Sequence, residues 1–421
     1  MAFINTIVDY FWVVFGSGFA RGVALVNTLI VARMLGPTSY GTFTIFYTVM
    51  ILTWQLPGAV DAVFVAYAKQ ANSSLEKNEL LKTSIVLKLA YLFFVLLLSY
   101  PLAYALAKYC FHKNEAVMPL LAALLCGVCL MFLMTVASTF QEQGRFARYA
   151  STNAFYTVAI FICLVVLYVV RIELTLQLVI YIYIAASVVI GGICIAMLLR
   201  RVGNLLALDK DVLIQALSQG KWVFASVASA RVFMRLDILF LARYVDLTSL
   251  GIYSVAAQLI QVVFLATGAL AGICLPKAGE AVRSRESFKV FFRESVWVVA
   301  LINMGIELFI FVAPYIVAIM YGNEYAFAGG ILRILLVGWI FTVVFIPFSF
   351  LFLALSDSRT RFFLELCKMF IGVLLLGWLV PLYGLTGGAY AVTLTLILTT
   401  FLSIAVLKHR LKRAFKELCF D

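Results

Sequence analysis

Charge is what this sequence has least of. Asp, Glu, Lys and Arg make up 12% of its 421 residues, apolar types make up 65%, and the mean hydropathy is +1.07. A soluble domain is about a quarter charged and about half apolar. A chain this poor in charge cannot bury its apolar surface in water, and it belongs in a bilayer. The net charge of +12 is spread over short gaps between apolar spans with no continuous basic stripe, which argues against nucleic acid. Histidine is nearly missing: His112 and His409 both stand outside the spans, and the CxxC of Cys126 and Cys129 has no second pair. Zinc, haem and disulfide readings therefore fail, and the eight cysteines read as packing residues. No metal or other cofactor is called for.

Other absences narrow the function. No GxxxxGK[ST] loop occurs, so ATP binding by this chain is not expected. The Asp209–Asp211 stretch imitates a glycosyltransferase DxD but lies in a polar connector, where a solvated face is the simpler reading. No loop is long enough to fold as a water-facing domain, which counts against a membrane polymerase or glycosyltransferase. The MAFINTIVDY start has neither the basic region nor the cleavage site of a secretory signal.

What is present is a series of apolar runs near the roughly 20 residues that cross a bilayer. They fall at about 11–32, 43–68, 83–107, 117–140, 150–170, 175–198, 219–242, 251–275, 295–320, 329–354, 362–380 and 385–407. Twelve spans of an all-α integral membrane protein are thus expected. With the N-terminus cytoplasmic, twenty-one lysines and arginines fall in inner segments; only Arg33, Lys108, Lys113, Arg171 and Arg243 fall in outer ones. That asymmetry places both termini inside.

The corner VARMLGPTSYG (Val31–Gly41) returns in altered form as LARYVDLTSLG (Leu241–Gly251), 210 positions later. Each half holds an even number of spans, so the halves run the same way through the membrane. Such parallel repeats place a substrate site between two lobes. The expected division is a six-helix lobe over 1–203, an amphipathic cytoplasmic connector over 204–218 and a second six-helix lobe over 219–421. The corners themselves read as structural turns after the first and seventh spans.

A few charges fall inside the spans. Lys88, Lys368 and Glu365 lie close enough to an inner end to snorkel, and Arg333 to an outer end. Arg21, Arg231 and Arg235 differ, because each is near mid-span, where an arginine costs at least about 2.5–3.5 kcal/mol. Arg231 and Arg235 share a face, about 40° apart at 100° per residue, and repel each other. They need water, counter-charge or an anionic ligand. The 210-residue register aligns Arg21 with Arg231 and Asn27 with Asp237. Guanidinium groups aimed from equivalent helices suit a phosphate-type anion, which they bind bidentately. Asp61, Asp237 and Glu307 are candidates for counter-charge or for H+ or Na+ coupling. Asp237 lies about 160° around the helix from Arg235 and cannot simply neutralise its own helix's arginines.

The stretches ARMLGPTSYGTF (Ala32–Phe43) and RLDILFLARYVDLTSLGIYSVAAQL (Arg235–Leu259) resemble the polysaccharide-lipid flippases. The basic returns QGRFAR (Gln143–Arg148) and DSRTR (Asp357–Arg361) are similar to the same proteins. These are the O-antigen and exopolysaccharide translocases of the multidrug/oligosaccharidyl-lipid/polysaccharide superfamily. The resemblance implies a V-shaped fold of twelve helices in two lobes, shared with the multidrug exporters. It implies a bacterial inner-membrane protein that moves an undecaprenyl-diphosphate-linked oligosaccharide to the outer leaflet by alternating access. A cationic cavity would hold the diphosphate and glycan, with Arg21, Arg231 and Arg235 matched to that role by position. Membrane lipids, a polysaccharide polymerase and a chain-length regulator are the partners it suggests. A cation-coupled multidrug exporter and a membrane enzyme of polysaccharide assembly are the alternatives. A major facilitator transporter would carry a GxxxDRxGRR-like turn after the second span, where this chain reads KQANSSLEKNELLK.

Overall fold

A computed structural model describes residues 2–68, 73–202, 210–281, 285–354 and 358–417. Among them every regular element is helical. Lipid offers no hydrogen bonds, so a spanning chain must satisfy its own backbone, and helices do so within one segment. The principal helices are α1 (Ala2–Gln55), α2 (Gly58–Ala68), α3 (Ser74–Leu97), α4 (Ser99–Ala105), α5 (Val117–Glu142), α6 (Phe146–Val169) and α7 (Leu176–Val202). They continue with α8 (Lys210–Tyr244), α9 (Leu247–Leu259), α10 (Gln261–Ala281), α11 (Arg285–Tyr321), α12 (Ala326–Ala354) and α13 (Ser358–Glu417). Of the expected connector, 204–209 lies outside the described residues, and 210–218 begins α8.

Among the described residues nine helical stretches are long and apolar enough to cross a membrane. The first, Gly18–Val65, has 48 residues and the last, Arg359–Leu411, has 53, each enough for two crossings. Both turn on a glycine with positive φ: Gly36 (φ 71°), followed by Pro37, and Gly384 (φ 55°), preceded by Pro381. A side chain at either position would be strained, so glycine sets where the chain folds back. Large apolar side chains cover the outer surface, with Ile319, Met118, Trp297 and Phe311 all more than two-thirds exposed. In water such a surface would aggregate; against acyl chains it is the solvated face.

The chain divides into two compact units, 1–251 and 252–421. In the first, α5 is the central helix, buried along most of its length and packed by α1, α6 and α7. Helix α8 packs on α2 and on α1 in this same unit. Packing and repeat are different divisions: the repeat register pairs α8 with α1, while its side chains rest on the first unit.

The second unit is built by α10, α11, α12 and α13, together with the part of α9 from Ile252 onward. Pro314 interrupts α11 and cannot donate to the carbonyl of Ile310 four residues earlier. Arg333 of α12 takes that carbonyl with Nε at 3.0 Å and the Phe311 carbonyl with a terminal nitrogen at 3.3 Å. Arg333, expected to snorkel, thus supplies hydrogen bonds to carbonyls beside the proline.

The two corners meet inside the first unit. Thr38 and Thr248 place their hydroxyl oxygens 2.8 Å apart. A Cβ on Gly41 would collide with the Leu247 carbonyl oxygen, and one on Gly251 with the Pro37 carbonyl oxygen. Pro37 and Leu247 are themselves 210 residues apart, so each corner makes on the other the contact it receives. Such reciprocity is the mark of a local two-fold axis.

Candidate functional site

The site begins at a defect. Between α1 and α2 the chain reads Gln55–Leu56–Pro57–Gly58, and Pro57 has no N–H to give. The Ala59 N–H, which a regular helix would direct at Gln55, bonds the Leu56 carbonyl instead at 3.0 Å. The Gln55 carbonyl is left without its helical donor, and a terminal nitrogen of Arg231 from α8 supplies one. Gly58 makes room for this: a Cβ there would stand 2.9 Å from that nitrogen and 3.8 Å from a carboxylate oxygen of Asp61. Arg231 and Asp61 therefore border the same small space.

Asp61 is committed elsewhere. It is 3% exposed, and its Oδ2 lies 2.5 Å from Nζ of Lys88 on α3, which is fully buried. Ser84 donates to the other carboxylate oxygen at 3.3 Å. Lys88 also reaches the Thr135 hydroxyl at 2.6 Å and the Met131 carbonyl at 3.2 Å, both on α5. An ammonium has three N–H donors, and these three acceptors use them all. Lys88 does not snorkel, contrary to the expectation from its position in the span. An acid within reach and two acceptors on α5 make the interior the better place for its charge.

One turn further along α8, Arg235 lies over the ring of Tyr47, 5.9 Å from its centroid. Tyr47 is held by aromatic neighbours, stacking on Phe43 at 5.6 Å and meeting Tyr183 edge-on at 6.2 Å. Tyr183 also packs edge-on against Phe43, Phe46 and Tyr156. Rigid rings fix the platform on which the guanidinium rests.

The arrangement joins Arg231, Arg235 and Asp61 around the junction of α1, α2, α3 and α8. Arg231 and Arg235 are half-buried. With Asp61 paired to Lys88, Arg231 has that carboxylate within electrostatic reach only, and neither Arg231 nor Arg235 forms an ion pair among the described residues. Partly desolvated guanidinium groups of this kind bind phosphate or carboxylate oxygens by charge-assisted hydrogen bonds.

Arg21, Asp237 and Glu307 have surroundings of their own. Arg21 is exposed on the first half of α1, within electrostatic reach of Tyr149 on α6. Asp237 is half-buried and its carboxylate takes the Ile238 N–H at 2.8 Å. Glu307 is exposed on α11 in the second unit. Glu365 pairs with Lys368 at 2.5 Å, both about one-fifth exposed.

Among the aromatic residues of the spans, Tyr253 is fully buried and Trp297 is 73% exposed. Trp339 packs edge-on against Phe264 at 4.6 Å. Sequence reasoning missed Lys88, Ser84, Thr135, Gly58 and the Gln55 carbonyl. The available signal was that Asp61 and Lys88, of opposite sign, sit in consecutive antiparallel spans.

Residues 8–271 match a family described as polysaccharide biosynthesis protein. No curated protein sequence matches the chain significantly. Among solved structures, the fold matches "Lipid II flippase MurJ, inward closed conformation" with a TM-score of 0.75 at 15% identity, covering 93% of this chain and 87% of that one. An inward-facing multidrug resistance MATE family transporter of the MOP superfamily matches with a TM-score of 0.68 at 14% identity, covering 94% and 95%. An outward-facing conformation of such a transporter matches with 0.66 at 14%, covering 97% and 96%. At these identities the likeness is one of fold.

Proposed function

The chain belongs to the polysaccharide biosynthesis protein family, and from that premise we propose that it is a lipid-linked oligosaccharide flippase. Its substrate is an undecaprenyl-diphosphate-linked O-antigen or exopolysaccharide repeat unit, and it carries this from the cytoplasmic to the outer leaflet of the bacterial inner membrane. The observation that carries the reading is the pair Arg231 and Arg235, two half-buried guanidinium groups whose neighbouring carboxylate already belongs to Lys88.

The diphosphate docks on Arg231 and Arg235, with Arg21 contributing from the equivalent helix of the other lobe. The lobes 1–203 and 219–421, twelve spans with both termini cytoplasmic, alternate access to it. The glycan crosses in a hydrated cleft while the lipid tail stays among acyl chains, where a C55 chain is at home and a diphosphate is not. Asp61 is the counter-charge of Lys88, and Asp237 and Glu307 are the candidates for H+ or Na+ coupling. A polymerase and a chain-length regulator receive the product.

A second reading, export of cationic drugs, draws on the fold likeness to multidrug transporters. A net-positive site repels such cargo, which is why the anionic substrate is preferred. Binding to the purified full chain in nanodiscs separates the two. A fluorescent prenyl-diphosphate saccharide should bind saturably and more weakly as salt is raised. Binding of a cationic dye in preference to that lipid would overturn the proposal.

A further inference from the structure

We infer that Lys88 is a positioning residue for the anion site: by holding Asp61, it keeps the charge of Arg231 available to the substrate. This rests on the reading of Arg231 and Arg235 as diphosphate ligands. Lys88 itself makes no such contact, since it is fully buried and its three donors are taken by Asp61, Thr135 and Met131.

The need for Lys88 follows from the neighbourhood of Gly58. Asp61 and Arg231 both border the space a Gly58 side chain would fill. A carboxylate 3% exposed is not left unpaired. Were Lys88 neutral, Asp61 could turn to Arg231, which borders the same space, is already within its electrostatic reach and bonds the Gln55 carbonyl. Pairing the two would cancel one of the two charges offered to the diphosphate and draw the guanidinium into the protein. Lys88 prevents this from three sides: it satisfies Oδ2 at 2.5 Å, while Thr135 and Met131 anchor its ammonium on α5. Ser84 occupies Oδ1. The buried pair is thus a neutral plug behind a charged site.

The inference distinguishes the effect of one charge from the effect of the pair. Farnesyl diphosphate, a short prenyl diphosphate, is the probe, and its affinity is measured for full-length protein in nanodiscs alongside thermal unfolding. Lys88→Met, below its unfolding temperature, should bind about tenfold more weakly, because Asp61 turns to Arg231. Asp61→Asn/Lys88→Met, which removes both charges, should bind within about twofold of the wild type.

Weak binding by the double variant would overturn the inference, since Lys88 or Asp61 would then act on the ligand directly. Wild-type affinity in folded Lys88→Met, with only a lowered unfolding temperature, would overturn it too, leaving a purely structural pair. Should Lys88→Met not fold, Lys88→Gln, which removes the charge but can still donate to Thr135 or Met131, replaces it under the same two criteria. Arg231→Gln is the control for the underlying reading: if it binds as the wild type does, the anion site itself is wrong, whatever the Lys88 variants do.

Discussion

Thr38 and Thr248, equivalent positions of two corners 210 residues apart in sequence, hold their side-chain oxygens 2.8 Å from each other. Residues that pair with their own equivalents lie on a local symmetry axis. Gly41 and Gly251 flank them, each too close to a carbonyl oxygen of the opposite corner to carry a side chain. The two corners thus meet backbone against backbone around one hydroxyl pair. It is the contact expected to part if the lobes rock as proposed.

The first prediction follows. A Thr38→Cys/Thr248→Cys variant should form a disulfide under mild oxidation, and transport by the cross-linked protein should stop and return on reduction. Full transport with the cross-link in place would mean that the corners never part.

Gly58 tests the seating of Arg231. In Gly58→Ala the new methyl group meets the Arg231 terminal nitrogen at 2.9 Å, closer than side chains sit, and the guanidinium is the part that yields. The expected result is a near-native unfolding temperature with anion affinity reduced several-fold, read by titration with a prenyl diphosphate. Affinity equal to the wild type would show that Arg231 needs no contact with Gln55.

Asp246 begins α9. Its carboxylate accepts from the Ser249 N–H at 3.0 Å, an N-cap bond. Partial burial works against its ionisation, but hydrogen bonds from Ser249 and Thr248 outweigh that and hold the carboxyl below its ordinary value. A depressed carboxyl contributes stability that is present above its unfolded pKa and is lost as pH falls through the folded value. Asp246→Ala should cost about 1 kcal/mol near neutrality. Unfolding temperatures of variant and wild type should converge in acid below the usual carboxylate range; a difference that persists there would assign the loss to packing.

How much of this could be read from sequence differs by feature. The spans were legible because an apolar run of about 20 residues reports on the bilayer and needs no tertiary information. The expected gaps at 33–42 and 381–384 contain the glycines on which the chain turns, Gly36 and Gly384. The arginines of α8 stood out because a mid-span charge is costly wherever it points.

Their surroundings were not legible. The acceptor for Arg231 is a backbone carbonyl, which every residue has, and only Pro57 hinted that this one lacks a partner. Lys88 was misread because snorkelling is judged along one helix, whereas its partners come from α2 and α5. The repeat disclosed that α1 and α8 are equivalent, but equivalence under a symmetry axis does not say which neighbours a helix packs against.

The central claim is that a lipid-linked diphosphate is carried on the arginines of α8. Its most direct test is the initial rate at which an undecaprenyl-diphosphate oligosaccharide crosses proteoliposome membranes containing wild type, Arg21→Ala or Arg231→Ala/Arg235→Ala at matched amounts of folded protein. Transport should be saturable in the wild type, slower in Arg21→Ala and at least about tenfold slower in the double variant, which corresponds to about 1.4 kcal/mol. Wild-type rates from a folded Arg231→Ala/Arg235→Ala protein would contradict the claim.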